Sequence, residues 1–417
     1  MLRLADRTQS AFKRREEWIA GHAVSFGLPA RIGRNGWRIR RSGGNWVADT
    51  ILVTGGAGFI GRHVSHALLR LGHRVRVLDN LIEQVHGGRD WPEGLDPEVE
   101  LLVGDVRDEA ALIRALRGVD KVVHLAAEVG VGQSMYAVDR YVSANDRGTA
   151  TLFQQLINRP VQRVVVASSM SIYGEGLYRD ADGRLAEDVV RQPRSGMVTS
   201  WDPVDVEGRP LQPVPTPEWK RPALASVYAI TKYVQERLTL TLAPAYGMEG
   251  VALRLWNVYG PGQALSNPYT GVLAIFASRL QNGQSPVIFE DGLQRRDFVH
   301  VEDVAQAFVL ALAHPRAAGG VFNIASGQDR SVQEVAELLA TAMGRLELVP
   351  EITGKARAGD IRHCIADIGL ARNVLGYTAR RDFMQGLAEL AEWVARQQAE
   401  DRVQQARKEL EARGLVA

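Results

Sequence analysis

A glycine-rich turn is the feature that most constrains how this chain can fold. The sequence "VTGGAGFIG" places Gly55, Gly58 and Gly61 in a G-x-x-G-x-x-G pattern, directly after an apolar run and at the start of a helical pattern. The first glycine allows the tight turn, the second lets a pyrophosphate approach the backbone, and the third lets helix and strand pack closely. Phosphates would then lie at the helix N-terminus, where free N–H groups and the helix dipole favour anions. The motif predicts a βαβ unit that binds a dinucleotide.

Apolar runs alternate with helical patterns along the residues that follow. Six runs are rich in β-branched residues, namely "ILVTGG", "RVRVLDN", "VELLVGDV", "KVVHLAA", "RVVVASS" and "VALRLWNV". Near-continuous apolar strands of this kind are typical of a parallel sheet that is covered on both faces. The sequence therefore predicts an α/β fold with a doubly wound parallel (Rossmann) sheet, whose ligands bind at the carboxyl ends of the strands.

A second strand end supports the dinucleotide interpretation. About 20 residues after the glycines, "VRVLDN" leads to Asp79, whose carboxylate would accept hydrogen bonds from the adenine ribose hydroxyls. A carboxylate there repels a 2′-phosphate, so the expected cofactor is NAD rather than NADP. Asp79 alone could be a turn residue, but the preceding glycines favour the cofactor role. The other expected NAD-binding residues are Phe59, Ile60, Asn80, Asp105, Val106, Ala126, Tyr228 and Lys232.

A tyrosine and a lysine in "SVYAITK" are the candidate proton-transfer pair. Tyr228 precedes Lys232 by four residues, one turn of the predicted helix. Ionising a free tyrosine, whose pKa is about 10, near neutrality requires a shift of roughly 3 units, or about 4 kcal/mol. Lys232 and the positive charge of oxidised nicotinamide can supply this shift between them. The alternative, a helix pair without chemistry, fits poorly beside an NAD site.

A serine from "VVVASSMSIYGEG" is the third candidate. Ser169 would lie just past the fifth strand, where its hydroxyl could share the proton between substrate and Tyr228. Spacing alone leaves the assignment open, because Ser168 and Ser171 are equally near.

Several motifs together resemble those of one enzyme family. Besides the segments already quoted, they are "NVYGPGQ", "RRDFVHVEDVA" and "RAGDIRHCIADI". Over roughly residues 50–395 the chain resembles the NAD-dependent nucleotide-sugar epimerase/dehydratase family of extended short-chain dehydrogenases/reductases. The resemblance assigns the serine role to Ser169 and implies that Asn257 contacts the sugar diphosphate. It also implies that Arg296 and Arg357 hold the phosphates or the nucleoside.

The resemblance further implies the reaction. Similar dehydratases and decarboxylases need an acid directly after the catalytic hydroxyl, where this chain has Met170 and Ser171. The expected reaction is therefore 4-epimerisation through a 4-keto sugar with tightly held NAD. Segments such as "ALSNPYTGV" are most similar to bacterial dTDP-L-rhamnose 4-epimerases, and UDP-glucose 4-epimerases are the alternative. Family members are usually dimers joined by a four-helix bundle, for which helices near 140–157 and 228–246 are the candidates.

Composition narrows the remaining function classes. The chain has 417 residues, 46% of them hydrophobic and 24% charged, as in globular proteins, and a net charge of +2 argues against a dedicated nucleic-acid binder. Cys364 is the only cysteine, which excludes a multi-cysteine metal site and fits a reducing compartment, so a cytoplasmic location is expected. No apolar run is long enough for a membrane span, and no membrane partner is expected.

Four segments are expected along the chain. Residues 1–48 form a basic, poorly packed extension, 49–260 an NAD-binding Rossmann domain, 261–395 mainly a substrate-binding lobe, and 396–417 a helical tail. The Rossmann domain contains a Pro-rich insertion at about 175–225 whose prolines predict neither helix nor central strand. This insertion could be a substrate-side flap or a passive loop. The end of the chain is predicted as a long surface helix.

Two functions of other classes stay open. The chain could bind NAD as a structural or sensing ligand without turnover, although intact Ser169, Tyr228 and Lys232 argue against this. The Arg-rich extension could contact nucleic acid, which predicts salt-sensitive binding that is lost when residues 1–48 are deleted.

Overall fold

The computed structural model describes most of the chain from residue 48 onward. The described residues are 48–86, 91–189, 201–265, 267, 271–356, 359–397 and 408–416. The predictions for residues 1–47 and for Arg357 lie outside this set.

Strands and helices alternate through the first half of the described chain, as the apolar pattern predicts. The strands are β1 (Thr50–Thr54), β2 (Arg74–Asp79), β3 (Glu100–Val103), β4 (Lys121–His124), β5 (Arg163–Ser169), β6 (Leu177–Arg179), β7 (Leu185–Ala186), β8 (Gln212–Thr216), β9 (Glu249–Leu255), β10 (Asn257–Tyr259), β11 (Val287–Ile288), β12 (Arg295–His300), β13 (Val321–Ile324), β14 (Asp329–Ser331), β15 (Glu351–Ile352) and β16 (Ile365–Ala366). The α-helices are α1 (Phe59–Arg70), α2 (Glu83–His86), α3 (Glu109–Ala115), α4 (Val131–Ser134), α5 (Val138–Tyr141), α6 (Gly148–Asn158), α7 (Val227–Ala245), α8 (Val272–Gln281), α9 (Val301–Ala313), α10 (Val332–Ala342), α11 (Gly369–Leu375) and α12 (Phe383–Val394). A π-helical turn (Val142–Arg147) joins α5 to α6, and 3₁₀ turns lie at Met170–Tyr173 and Pro315–Ala317.

A seven-stranded sheet lies at the centre of the fold. Its strand order is β13-β9-β5-β4-β1-β2-β3, and all neighbouring strands are parallel. The winding direction reverses between β1 and β4, which is where ligands bind in doubly wound sheets. The predicted Rossmann fold is confirmed. Its seventh strand, β13, comes from the range assigned mainly to the substrate lobe.

Helices cover both faces of this sheet. Ile51 and Val53 of β1 belong to the core that includes α1 and α9, whereas Leu52 belongs to the core that includes α3 and α6. This alternation follows from the two-residue period of a strand. Side chains at helix starts define where helices begin; for example, the hydroxyl of Ser226 accepts a hydrogen bond from the Ala229 N–H at the start of α7.

A second core lies beside the sheet and packs α8, α10 and α12 around buried residues such as Phe276, Leu339 and Leu387. Two smaller sheets accompany it, with strand orders β10-β12-β14 and β11-β15. The division into cofactor and substrate lobes stays a prediction.

The prediction that the Pro-rich insertion contains no central strand was wrong. β8 lies between β16 and β6 in the four-stranded sheet β16-β8-β6-β7, although it includes Pro213 and Pro215. The two neighbours pair with different parts of β8: β6 pairs antiparallel with residues 212–214, and β16 pairs in parallel with residues 215–216. This staggered pairing reduces the number of backbone donors that β8 must supply, so prolines are tolerated.

The prediction of one long surface helix at the end of the chain was also wrong. α12 ends at Val394, and a turn follows at residues 395–397. The side-chain amide of Gln281 donates hydrogen bonds to the carbonyls of Val394 and Gln397, which holds this turn. Residues 408–411 are helical, and Leu410 is buried rather than exposed. No helix in the described part of the chain is both long and apolar enough to span a bilayer.

Candidate active site

The predicted site residues lie around one cavity at the carboxyl ends of the central strands. The cavity has a volume of about 1550 Å³, larger than the roughly 300–1,000 Å³ usual for one small ligand. Every predicted site residue that the structure describes lines it: Gly55, Gly58, Phe59, Ile60, Gly61, Asp79, Asn80, Asp105, Val106, Ala126, Ser169, Tyr228, Lys232, Asn257 and Arg296. The sequence therefore identified residues that the fold brings together, although their roles stay predictions.

The glycine turn has no room for side chains. Gly55 has a φ of +70°, and a Cβ there would lie 2.7 Å from the backbone nitrogen of Ala126. A Cβ on Gly61 would lie 2.5 Å from the Cα of Gly56. α1 starts at this turn, and no side chain caps its N-terminus. The first backbone N–H groups of α1 are therefore presented to the cavity as an anion site, which fits the pyrophosphate of NAD.

Two carboxylates lie where β2 and β3 end: Asp79 is the last residue of β2, and Asp105 follows β3 by two residues. Asp79 accepts hydrogen bonds from the N–H groups of Ala57 and Leu81, both at 3.0 Å, which fixes it beside the glycine turn. Burial opposes ionisation of Asp105, but hydrogen bonds from Arg107 and Asn80 outweigh it and lower the pKa of Asp105 to about 2. Both positions fit the adenosine part of NAD, and Asp79 is the one suited to the ribose hydroxyls.

Ser169 and Tyr228 both line the cavity, and Ser169 favours the ionised form of Tyr228 by lowering its pKa. Ser169 also accepts hydrogen bonds from the Ser171 N–H at 3.1 Å and from the Ser171 hydroxyl at 2.9 Å. Because these bonds occupy its acceptor positions, the proton of Ser169 is available to Tyr228 or to a ligand. Ser168 instead donates to the Glu236 carboxylate at 2.6 Å. The geometry therefore favours Ser169 over Ser168 and Ser171, and it gives Ser171 an orienting role that spacing did not indicate.

Burial has the largest effect on the pKa values of Tyr228 and Lys232. It raises the pKa of Tyr228 above its usual value, and the hydrogen bond with Ser169 acts in the opposite direction. Burial also lowers the pKa of Lys232 to about 7, and the negative charge of Glu236 opposes this shift. The predicted lowering of the pKa of Tyr228 requires the charge of oxidised nicotinamide in addition to that of Lys232. In the chain alone burial raises this pKa, which is consistent with a need for the nicotinamide charge.

A buried polar network around Lys232 was missed by the sequence analysis. Its ammonium donates to Oε1 of Gln235 at 2.6 Å, and Nε2 of Gln235 donates to the Ala126 carbonyl at 3.2 Å and to Thr149 at 2.9 Å. His124 contacts the same Thr149 hydroxyl at 2.9 Å. The three-residue spacing of Lys232 and Gln235 was the available indication, because such residues share a helix face.

Two of the three predicted phosphate or sugar contacts lie within the described residues. Asn257 donates to the carbonyl of Asp297 at 3.0 Å. The guanidinium of Arg296 donates to the carbonyls of Ile361 and Arg362. Both side chains line the cavity while being held by backbone carbonyls. Arg296 therefore brings a positive charge that is fixed in place, as a phosphate site requires. Of the described residues in the Pro-rich insertion, Ala225 alone lines the cavity.

The chain is similar to one known family and to characterised enzymes within it. The profile of the "NAD dependent epimerase/dehydratase family" matches residues 51–196 and 207–325. A dTDP-L-rhamnose 4-epimerase of Burkholderia thailandensis is 36% identical over 351 residues, covering 83% of this chain and 95% of the relative.

Solved structures show the same similarity. The UDP-glucose 4-epimerase of Thermotoga maritima with UDP-glucose is 31% identical, with a TM-score of 0.67, and the alignment covers 83% of this chain and 98% of that one. The UDP-glucose 4-epimerase of Thermus thermophilus in complex with NAD is 29% identical, with a TM-score of 0.66, over 83% and 99% of the two chains.

Proposed function

The chain belongs to the NAD-dependent epimerase/dehydratase family, and on that premise we propose that it is a dTDP-L-rhamnose 4-epimerase. The coarser assignment, an NAD-dependent nucleotide-sugar 4-epimerase, is common to the similar proteins reported above. The observation that carries the proposal is that Ser169, Tyr228 and Lys232 line the same cavity as the glycine turn, where Ser169 lowers the pKa of Tyr228.

The proposed reaction begins with proton removal. Tyr228 takes the proton of the C4 hydroxyl, and the Ser169 hydroxyl, oriented by Ser171, hydrogen-bonds the same oxygen as its charge changes. Lys232 stabilises the ionised tyrosine. The glycine turn and Asp79 would hold NAD, which would supply reversible hydride transfer at C4 and a positive charge that favours ionised Tyr228; inversion at C4 requires the 4-keto sugar to turn over in the cavity. Tyr228 returns the proton to the C4 oxygen at the end of the reaction.

The two positions after Ser169 carry no acid that could protonate a leaving hydroxyl group for the elimination of water. Met170, directly after Ser169, is buried, and the Ser171 hydroxyl donates to Ser169. With no carboxylate at either position, no residue there can protonate a leaving hydroxyl. This supports epimerisation rather than dehydration.

The substrate assignment rests on the resemblance to the Burkholderia thailandensis enzyme. UDP-glucose 4-epimerase activity is the second candidate, because the Thermotoga maritima structure is similar over nearly its whole length. The two candidates share the proposed triad and differ in the nucleotide and the sugar.

Proton NMR of the purified protein tests the proposal. The protein is incubated separately with dTDP-L-rhamnose and with UDP-galactose, beside Tyr228→Phe protein with its NAD content measured. Conversion of the rhamnose C4 signal into that of the epimer, absent in the variant, supports both mechanism and substrate. Conversion of UDP-galactose alone would keep the mechanism and replace the substrate. No conversion of either sugar, with NAD bound, would favour another nucleotide sugar or a non-catalytic role.

Association of two copies is part of the proposal. Val138 of α5, Val142 of the π-helical turn and Ile230 of α7 are 41–45% exposed on the helices expected to form the four-helix bundle. Exposed large apolar side chains on these helices are consistent with a protein contact. Ile230→Glu is expected to shift the mass measured by light scattering from two chains to one, and an unchanged mass in the variant would contradict this interface.

A further inference from the structure

The last described residues of the chain contribute to the active-site cavity. Lys408, Leu410 and Glu411 are among its lining residues. They lie beyond residues 51–196 and 207–325, which the family profile matches. Residues 408–416 are called the C-terminal segment below.

Leu410 anchors the C-terminal segment to α4. Its side chain is 6% exposed, and its two methyl carbons lie 3.6 and 3.7 Å from the point where a Cβ on Gly132 would be. The absence of a side chain at Gly132 thus leaves the space that Leu410 approaches. A leucine buried in a short terminal helix indicates that the segment is docked rather than solvated.

Polar contacts hold the same segment. The Tyr136 hydroxyl donates to the Glu409 carboxylate at 3.0 Å, and the guanidinium of Arg413 lies 4.3 Å from the centroid of the Tyr136 ring. An ion pair at 3.4 Å joins Lys355 to Glu411. The segment is therefore bound to two separate parts of the fold, on both sides of Leu410.

The docking site adjoins the reacting end of the cavity. Gln133, next to Gly132, accepts a hydrogen bond from the Tyr141 hydroxyl at 3.2 Å, and the Tyr141 ring contacts that of Tyr228 edge to face at 6.4 Å. On the other side of Gly132, the side chain of Val131 lies beside Gly359, which also neighbours Ser226 at the start of α7. The C-terminal segment thus contacts α4, and α4 is linked to Tyr228 through Tyr141.

From these contacts we propose that the C-terminal segment is a wall of the substrate compartment that holds the nucleotide sugar in the cavity. Leu410 fixes the wall against Gly132. Lys408 brings a positive charge to a cavity expected to receive a diphosphate, and the negative charge of Glu411 is paired with Lys355. The inference rests on the proposed function, because the ligand it names is the nucleotide sugar of that reaction. It predicts an effect on nucleotide-sugar binding and none on NAD, whose turn and carboxylates belong to other elements.

A matched pair of variants tests this wall. Leu410→Glu places a charge at a buried position, whereas Ala412→Glu places the same charge on an exposed residue of the same segment. For Leu410→Glu we expect KM for the nucleotide sugar and Kd for dTDP or UDP, measured by calorimetry, to rise about tenfold or more. The NAD content should stay that of the starting protein, and Ala412→Glu should match the starting protein in every measurement.

The outcomes separate this inference from the proposed function. Unchanged KM and Kd in Leu410→Glu, or an equal rise in Ala412→Glu, would overturn the proposal that the C-terminal segment is a wall of the substrate compartment. If no sugar is epimerised but dTDP or UDP binds, the proposed function fails, and the Kd values alone decide the inference. A protein that binds neither nucleotide would overturn both. Should Leu410→Glu not fold, Leu410→Ala provides the same comparison with a smaller expected rise.

Discussion

The ammonium of Lys232 donates a hydrogen bond of 2.6 Å to Oε1 of Gln235, three residues later on α7. Gln235 in turn is fixed by its own donation to Ala126 and Thr149. The bond favours the charged form of a lysine whose pKa burial lowers to about 7. Gln235 is therefore expected to control the pH range in which Lys232 can support an ionised tyrosine.

Gln235→Leu is predicted to move the alkaline decline of kcat/KM to lower pH. A hydrogen bond to a charged group is worth about 1.5–3 kcal/mol, so its loss lowers the pKa of Lys232 by roughly 1–2 units. Gln235→Glu, which adds a negative charge beside the ammonium, should move the same decline to higher pH. Profiles measured from pH 5 to 10 that coincide for both variants would contradict the role of Gln235.

Ser169→Ala and Ser168→Ala are predicted to have different effects on turnover. Ser169 shares the cavity with Tyr228 and favours its ionised form, so loss of the Ser169 hydroxyl should reduce kcat by about 10²–10³-fold with NAD retained. Ser168 donates to Glu236 and should affect mainly Tm. Steady-state kinetics beside thermal unfolding make the comparison, and a larger loss of kcat in Ser168→Ala would reverse the assignment.

Gly55→Ala is predicted to abolish tight NAD binding, and Gly72→Ala is its control. Both glycines have positive φ, of +70° and +83°, but only the Cβ added at Gly55 meets backbone atoms within 3 Å. At Gly72 nothing lies within 4 Å, so only the backbone strain of about 1 kcal/mol is added. NAD released by denaturing each purified variant is measured, and equal NAD content in the two would refute the steric argument.

The buried His124 is predicted to make the protein acid-sensitive. Burial, aided by the charge of Lys232, lowers the pKa of His124 to about 3 in the folded protein, below the ordinary value of about 6.5 for the unfolded chain. Since the unfolded chain binds the proton first, stability falls as the pH drops below about 6.5. Urea unfolding at pH 7.5 and 5 should show roughly 2 kcal/mol more loss in the wild type than in His124→Asn, at 1.36 kcal/mol per pH unit. Equal losses would exclude His124 as the cause.

Local patterns predicted the strands, the glycine turn and Tyr228 with Lys232, because each depends on residues that are near in sequence. The choice between Ser168 and Ser169 was not local. Both serines face side chains of α7, Ser168 through Glu236 and Ser169 through Tyr228, so only the packing of α7 against β5 decides which serine lies in the cavity beside Tyr228.

The contact of Leu410 with Gly132 could not be predicted for a similar reason. The two residues are far apart in the chain, and the charged pattern around Leu410 is that of a solvated helix. The same charged pattern predicted one continuous helix. In the structure α12 ends earlier, at a turn whose carbonyls accept hydrogen bonds from the side chain of Gln281. Long-range side-chain contacts, rather than helix propensity, therefore determine the conformation of the described C-terminal residues.

β13 is synthesised well after β9, the strand with which it pairs, and this order affects folding during translation. β9 pairs with β5 on one side. On its other side it pairs with β13, which lies about 70 residues later in the chain. At roughly 5–20 residues per second, that interval lasts on the order of ten seconds. During it the nascent sheet has an unpaired apolar edge, a site for aggregation that a chaperone would have to cover.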